Sequence, residues 1–385
     1  MDKKKRLYPL KFQTNSRERE WGTSDWALWS LYGASSVVSN GFLEENELDD
    51  LIETYMGDLL GEKIFTYYKG FFPIMVSMLN VKGKIPLHIH PDDKSAMERE
   101  DAFGKREFWY VMEASEDAKV FMGFNRDISA QELFDRIKSG TLEEVLNMVK
   151  PKRGDCFRIN PGLPHAAWGE MKIAEISEAS GAMYNIYKWS AEPTLGSQSN
   201  HDLFEAIDLV ELKMHPLEPY YIQAPSNPLS SEGKVSVEKS CVLTECENYN
   251  IKKIVLESGT TIFPALINSF IVYISLKGKS AIKVGDDLYR IKENEVILIP
   301  ASMEEFRLYP EGEEGEQAVL LECFMPEPPE EIDSYNNSNS CEINYGESKI
   351  GQIPLVCKAL QDQVGGCGGL QKWQSACKWS GCQIF

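Results

Sequence analysis

The chain has 385 residues, of which 43% are hydrophobic and 26% are charged, and its formal net charge at pH 7 is −19. No apolar run approaches the ~18 residues of a membrane-spanning helix, so a membrane-embedded protein is not expected. Nucleic acid requires a local surplus of Lys and Arg and is therefore an unsuitable partner, whereas a small anionic substrate needs only one or two cations in a pocket. The basic N-terminus is not followed by the apolar stretch of a secretory signal, which predicts a cytoplasmic protein.

The length predicts two compact domains, here 1–215 and 216–326, followed by a linker and an irregular tail over 327–385. The tail is rich in Gly, and it holds five of the nine cysteines: Cys341, Cys357, Cys367, Cys377 and Cys382. Because no two cysteines form a CxxC pair, neither a zinc ribbon nor a dithiol redox centre is indicated.

Three segments show the apolar spacing of helices. Residues 43–61 predict a helix that stops at Gly61, residues 129–150 predict two short helices separated at Ser139 and Gly140, and residues 200–212 predict a third helical segment.

Most of the remaining sequence consists of short runs of β-type residues bounded by Gly, Pro and Asp. In the first half these runs are 72–81, 107–113, 118–124, 155–161, 171–177 and 183–189. The pattern restarts after Pro216, with a hairpin expected around Gly285, Asp286 and Asp287. Many short strands at such spacing predict sandwiches or barrels, so the expected fold is mainly β with a few helices.

Three of the five histidines and one glutamate lie at predicted strand ends in the first half. His88 and His90 are two residues apart, so on a strand they project from the same face ~7 Å apart. Glu107 begins the run 107–113, which could be a neighbouring antiparallel strand, and His165 follows a proline-glycine turn that can aim its imidazole inwards. Alone, a His-x-His pair is a weak signal, and polar residues at a sheet edge are the alternative. Together the four residues form a nitrogen and oxygen donor set suited to zinc, iron, manganese or nickel.

The order of these motifs resembles the metal signature of cupins, which are double-sheet β-barrels, and more closely that of the type I mannose-6-phosphate isomerases. That family carries QVHPDD, then GKxExWY, then a Gly-Asp strand that ends in a histidine, then AEI. This chain has HIHPDD at 88–93, GKREFWY at 104–110, RGDCFRINPGLPH at 153–165 and AEI at 174–176. The resemblance covers residues 7–212 and extends more loosely over the second half, which implies two cupin-like domains.

Carried over position by position, the resemblance implies one Zn²⁺ per chain, or another divalent metal, bound by His88, His90, Glu107 and His165. His88 stands where the family usually has glutamine, and an imidazole should bind such an ion at least as well as an amide. The resemblance also implies that Lys105 faces the substrate and that Glu175 is a pocket carboxylate. The alternatives are a solvated surface lysine and a glutamate at the edge of the core.

The positions at which the family carries cations for the anionic part of its substrate depart from the family pattern in this chain. Where the family has YRxYDWxR, this chain has Asn185, Lys188 and Ala191 at the diagnostic places, and Ser77 stands where a lysine is usual. The family arginine, which is the group best suited to a phosphate or an enediolate, is therefore missing.

The resemblance implies an aldose–ketose isomerase that interconverts mannose 6-phosphate and fructose 6-phosphate, or a close relative, through a cis-enediol. Such chemistry needs a base and an electrophile, and Glu175 is the candidate base. Because the family arginine and lysine are missing, a non-catalytic sugar-binding or regulatory cupin is an alternative. Cupins also include iron dioxygenases, so the fold alone does not fix the reaction. The expected partner is a small sugar phosphate, with no nucleic acid or membrane, and the protein is expected to be a monomer or a homodimer.

Overall fold

The computed structural model describes residues 6–31, 33–189, 197–222, 238–312 and 316–329. The prediction of a mainly β fold is confirmed. The strands of the first half are β1 Leu10–Lys11, β2 Asn15–Arg19, β3 Gly22–Leu28, β4 Ser30–Leu31, β5 Ala34–Ser35, β6 Ile74–Val81, β7 Leu87–Ile89, β8 Glu107–Ala114, β9 Lys119–Phe124, β10 Leu146–Val149, β11 Cys156–Ile159, β12 His165–Trp168, β13 Met171–Glu178 and β14 Tyr184–Tyr187. Those of the second half are β15 Tyr221–Ile222, β16 Glu238–Glu245, β17 Asn250–Leu256, β18 Thr260–Ile262, β19 Ile271–Lys277, β20 Lys279–Val284, β21 Asp287–Ile291, β22 Val296–Ile299, β23 Phe306–Glu311 and β24 Ala318–Phe324.

The described helices are short and lie between the strands. They are α1 Leu48–Tyr55, α2 Gly57–Leu60, α3 Glu62–Tyr67, α4 Asp93–Glu100, α5 Ala130–Ser139, α6 Ser197–Leu209 and α7 Leu217–Tyr220. None of these helices is both long enough and apolar enough to cross a lipid bilayer.

Two helix predictions need correction. The segment 43–61 is not one helix, because Met56 has φ +49° and separates α1 from α2. In the segment 129–150, α5 ends at left-handed Gly140 as predicted, but the rest forms a 3-10 turn at Leu142–Val145 and strand β10. Strand β10 pairs with β9 and forms the edge of that sheet, and this long-range pairing outweighs the local helical spacing.

Most strands of the first half, together with β15, form two sheets, which we call the first sandwich, while β4 and β5 form a separate two-stranded sheet. The seven-stranded sheet has the order β15-β11-β8-β13-β6-β3-β2, the five-stranded sheet has the order β10-β9-β12-β7-β14, and neighbouring strands are antiparallel. Apolar side chains from both sheets, among them Trp109, Val120 and Ile173, share one buried cluster. The two sheets therefore face each other across a common interior.

The second sandwich has a six-stranded sheet, β1-β22-β19-β24-β17-β16, and a four-stranded sheet, β18-β23-β20-β21. Its strand β1 comes from the N-terminus, since Leu10 pairs with Leu298. The division into domains at residue 215 stays a prediction. Almost all of the tail, residues 330–385, lies outside the described residues.

The sandwiches pack through the outer face of the seven-stranded sheet. Strand β8 alternates between two environments, with Phe108 and Tyr110 in the cluster between the sandwiches and Trp109 in the interior of the first. A strand buried on both faces reads as a continuous apolar run, as 108–112 does. Arg158 faces the second sandwich, where its guanidinium donates to the Leu243 carbonyl.

Candidate metal centre and active site

Three histidines meet on the inner face of the five-stranded sheet. His88 and His165 are directly opposite each other on β7 and β12, and His90 follows two residues after His88. The ring centroids of His88 and His165 are 4.0 Å apart, and that of His90 lies 5.2 Å from His88 and 5.3 Å from His165. The period of two along a strand explains why His88 and His90 share a face.

The fourth residue, Glu107, comes from the opposing sheet. Strand β8 pairs with β11 and β13 and not with β7, so the prediction that Glu107 lies on a neighbouring strand was wrong. The physical reason is that α4 and the following loop carry the chain from one sheet to the other. Glu107 therefore reaches the histidines across the interior of the sandwich.

A tight turn aims His165 inwards, as predicted. The Leu163 amide donates to the Asn160 carbonyl, and Gly162 has φ +78°, a backbone conformation that favours glycine. The Gly162 amide also donates to the His90 carbonyl at 2.8 Å, which ties the turn to the end of β7.

Backbone carbonyls determine which nitrogen of each histidine carries the proton. The Nδ1 atoms lie 2.8 Å from the Pro86 oxygen for His88, 2.8 Å from the Ala182 oxygen for His90, and 2.9 Å from the Leu163 oxygen for His165. A carbonyl oxygen only accepts hydrogen bonds, so Nδ1 must be the donor in each case. In the neutral imidazole, Nε2 is then left with its lone pair.

Burial and neighbouring charges set the ionisation of this cluster. Burial lowers the pKa of His90 below its usual value, and burial with the charges of His165 and His90 lowers the pKa of His88 further still. Burial alone would raise the pKa of Glu107, but the charges of His90 and Lys105 hold it well below its usual range. Neutral imidazoles and an ionised carboxylate are the forms that bind metal.

The donor atoms of His88, His90, Glu107 and His165, which we call the His-Glu cluster, all lie within 4.8 Å of one another. Nε2 of His90 is 3.1 Å from Oε1 of Glu107, and Nε2 of His165 is 3.3 Å from Oε2. Yet His90 Nε2, His165 Nε2 and Glu107 Oε2 make no hydrogen bond to any described residue, although all three atoms are buried. Buried acceptors that converge without donors are expensive, and a divalent cation among them removes that cost. The cluster therefore fits a metal ion.

The two other predicted site residues lie beside this cluster. Nζ of Lys105 is 3.2 Å from Oε1 of Glu107. Glu175 lies directly opposite Trp109 on the neighbouring strand, and its Oε2 accepts a hydrogen bond of 3.1 Å from the Trp109 indole. The Trp109 ring in turn lies 5.4 Å from that of His165. The sequence interpretation missed Trp109, although the period of two in 107–109 places it on the face of Glu107.

Glu175 is a carboxyl with an unusual pKa. Burial, followed by the negative charge of Glu107, raises the pKa of Glu175 to about 8, although Lys105 and the Trp109 hydrogen bond act in the opposite direction. A base with a pKa near neutral is the kind that proton-transfer catalysis requires.

This pKa predicts a pH-dependent stability of the metal-free protein. At low pH both states hold the proton on Glu175. As pH rises towards about 8 the unfolded chain releases the proton and the folded chain keeps it, so stability falls by roughly 3–5 kcal/mol. The glutamine of Glu175→Gln does not ionise, so this fall in stability is absent from the variant. We therefore expect the variant to gain stability relative to the wild type between pH 5 and pH 9. Urea unfolding in the presence of a chelator, repeated across this pH range, measures the free energy of unfolding of both proteins. If that free energy changed with pH in the same way in both, Glu175 would not have the raised pKa.

The chain resembles known proteins in both sequence and structure. No protein-family model matches it. Mannose-6-phosphate isomerase ManA of Bacillus subtilis (strain 168) is 24% identical over 320 residues, which cover 78% of this chain and 95% of ManA. Mannose-6-phosphate isomerase of Streptococcus mutans is 24% identical over 282 residues, which cover 73% and 84% of the two chains.

Solved structures agree with the sequence matches. The mannose 6-phosphate isomerase structure from Bacillus subtilis superposes with a TM-score of 0.67 at 21% identity, covering 82% of this chain and 99% of that one. The chain is a relative of the mannose-6-phosphate isomerases. An apo structure of mannose 6-phosphate isomerase from Salmonella typhimurium superposes with a TM-score of 0.60 at 13% identity, covering 83% and 99% of the two chains. The predicted resemblance to a family of enzymes is confirmed.

The diagnostic positions at which this chain differs from the mannose-6-phosphate isomerase motifs include two that lie close to the His-Glu cluster or to Glu175. Asn185 pairs directly with His88, so an amide occupies the position beside the cluster where the motif has arginine. Lys188 is exposed after the end of β14, and Ala191 lies outside the described residues. Ser77 is fully buried opposite Glu175. Of the described diagnostic positions, none therefore presents a cation to the cluster.

Proposed function

We propose that the protein is a zinc-dependent aldose–ketose isomerase that interconverts mannose 6-phosphate and fructose 6-phosphate, or a closely related sugar phosphate. The observation that carries the proposal is the His-Glu cluster, in which donor atoms of three histidines and one glutamate converge beside a second carboxyl of raised pKa. The kinship with mannose-6-phosphate isomerases supports the choice of substrate.

His88, His90, Glu107 and His165 would hold the ion, and three imidazoles with one carboxylate form a donor set that zinc accepts. When bound, zinc would supply Lewis-acid polarisation of a sugar oxygen. The Nδ1 hydrogen bonds to Pro86, Ala182 and Leu163 fix the ring orientations, as outer partners of metal-bound histidines do.

The chain's own residues supply the proton chemistry. Isomerisation moves a proton between C1 and C2 through a cis-enediol, and a single base can take it from one carbon and return it to the other. Glu175 is that base in our proposal, because it is buried, its pKa is raised to about 8, and the Trp109 indole holds one of its oxygens. Lys105, next to Glu107, adds a positive charge that stabilises the negative oxygen of the enediolate.

A non-catalytic sugar-binding protein is the second candidate. The observation that favours it is the presence of Asn185 and Ser77 at positions where the family motifs carry cations. Such a protein would keep the ion and the sugar site and would lack turnover.

The test is turnover of purified, zinc-reconstituted protein on mannose 6-phosphate, with fructose 6-phosphate detected by a coupled enzyme. We expect saturable activity that disappears in the metal-free protein and returns when zinc is added. Stoichiometric metal with no turnover on mannose 6-phosphate or on other aldose phosphates would reject the isomerase and favour the binding protein. A cytoplasmic location and a monomeric or homodimeric state stay predictions.

A further inference from the structure

Two arginines lie on the inner-face side of the edge strand β2. Arg17 is paired with Ser24, and Arg19 is paired with Gly22, on the neighbouring strand β3. Because side chains alternate along a strand, Arg17 and Arg19 share one face, and the Ser16 hydroxyl donates to Asp25 on the opposite face. The guanidinium carbon of Arg17 lies 3.6 Å from the centroid of the Trp26 ring. This stacking holds a planar cation in one place.

A continuous row of paired residues joins this cation to the proposed base. Trp26 pairs with Ser77, and Ser77 pairs with Glu175 on its other side. Two strand spacings of ~4.8 Å place Trp26 roughly 10 Å from Glu175 along the sheet. A hexose 6-phosphate carries its phosphate at the opposite end of the carbon chain from C1 and C2, so such a substrate needs a cation at a distance from the base.

Between Trp26 and Glu175 on this row lies Ser77, whose hydroxyl makes no hydrogen bond to the described residues. Ser77 is 0% exposed, and its Oγ has no partner among the described residues. Most buried hydroxyls in proteins are satisfied, so the Ser77 hydroxyl on this inner face has hydrogen-bonding capacity left for a polar ligand. Sugar hydroxyls can both donate to and accept from such a group.

The electrostatic surroundings favour an anion at this edge. Burial, followed by the charge of nearby Arg19, lowers the pKa of Arg17. Both side chains are partly exposed and reachable. Arg17 and Arg19 place two cations on one strand face of a chain whose net charge is −19, and such a pair can attract a phosphate.

We propose that Arg17, held on the Trp26 ring, binds the phosphate of the sugar-phosphate substrate, with Ser77 contacting a sugar hydroxyl between the phosphate and Glu175. The proposal rests on the proposed isomerase function for its substrate. Arg17 thereby provides, from the opposite sheet, the cation that Asn185 does not.

The first test is steady-state kinetics of Arg17→Ala and Arg17→Lys on mannose 6-phosphate. A charge-assisted bidentate contact is worth roughly a tenfold to hundredfold change in affinity, so we expect KM to rise by that factor in Arg17→Ala, with a smaller rise in Arg17→Lys. Because the contact is remote from the reacting carbons, kcat should change by less than about threefold. Arg290→Ala is the matched control, since Arg290 is exposed and pairs with Glu311 in the second sandwich. An unchanged KM in Arg17→Ala would overturn the proposal.

A second measurement separates this proposal from the isomerase function itself. Calorimetric titration with inorganic phosphate needs no turnover, and we expect binding to the wild type and to Arg290→Ala that is weakened at least about tenfold in Arg17→Ala. If the protein turns over no sugar phosphate but Arg17→Ala still loses phosphate binding, the phosphate site stands and only the isomerase fails. Phosphate binding of equal strength in Arg17→Ala, or none in the wild type, would overturn the site. Circular dichroism and unfolding midpoints of both Arg17 variants confirm that each one folds.

Discussion

His165→Ala is expected to abolish turnover and to release the metal ion. His165 is 0% exposed and supplies one of the four donors of the His-Glu cluster, directly opposite His88 in the sheet. Loss of an outer hydrogen-bond partner of a metal ligand typically costs ten- to hundredfold in metal affinity or activity, so loss of a ligand itself should cost more than about a hundredfold. Metal content by mass spectrometry and activity in the coupled assay should fall together.

His215 provides the matched control for this experiment. It is also a buried histidine, but it lies outside the cluster, where its Nδ1 accepts from the Phe124 amide and its Nε2 is 3.1 Å from Glu211. We expect His215→Ala to lower stability while it keeps the metal and the activity. Full activity of His165→Ala, or equal metal loss in both variants, would show that the cluster is not the metal site.

Glu175→Gln is expected to lower kcat by a factor of about 10²–10⁴, which is the usual contribution of a positioned general base. Glutamine keeps the shape of the side chain and an oxygen that can accept from the Trp109 indole, but it cannot take a proton. Substrate binding should therefore survive, and KM should change little. Glu113→Gln, on the exposed end of β8, is the control carboxylate and should retain full activity.

The pH dependence of the wild type provides an independent check on Glu175. The base acts only when it is ionised, so activity should rise with pH and level off above the pKa. Burial and Glu107 raise this pKa to about 8 in the metal-free protein, and a nearby cation lowers it, so the acid limb should lie at or below pH 8. An activity that is independent of pH between 5 and 9, or a fully active Glu175→Gln, would remove Glu175 from the role of base.

Several features of the site could be predicted because they depend on local geometry alone. The period of two places His88 and His90 on one face, and the proline-glycine turn before His165 follows from residues that favour turns. Asp92 caps α4 by accepting from the Ser95 amide at 2.7 Å, and aspartate is one of the residues that favour this position before a helix.

Other features depended on partners that are distant in sequence. Glu107 reaches the histidines from the opposing sheet, and residues 146–149 are extended because β9 offers them a pairing edge. Arg17 was not singled out from the sequence at all, since nothing in residues 15–19 indicates that their inner face continues through Trp26 and Ser77 to Glu175.

The sequence by itself determined the mainly β class, the donor types of the metal cluster, the family resemblance and the loss of the family cations. Only the tertiary structure decided which sheet each donor comes from, which histidine nitrogen carries the proton, and how far burial moves the pKa of Glu175. The physical reason is that side-chain periodicity and turn propensity act over a few residues. Strand pairing, desolvation and the convergence of charges arise only when segments far apart in the chain are packed together, as Leu10 and Leu298 are.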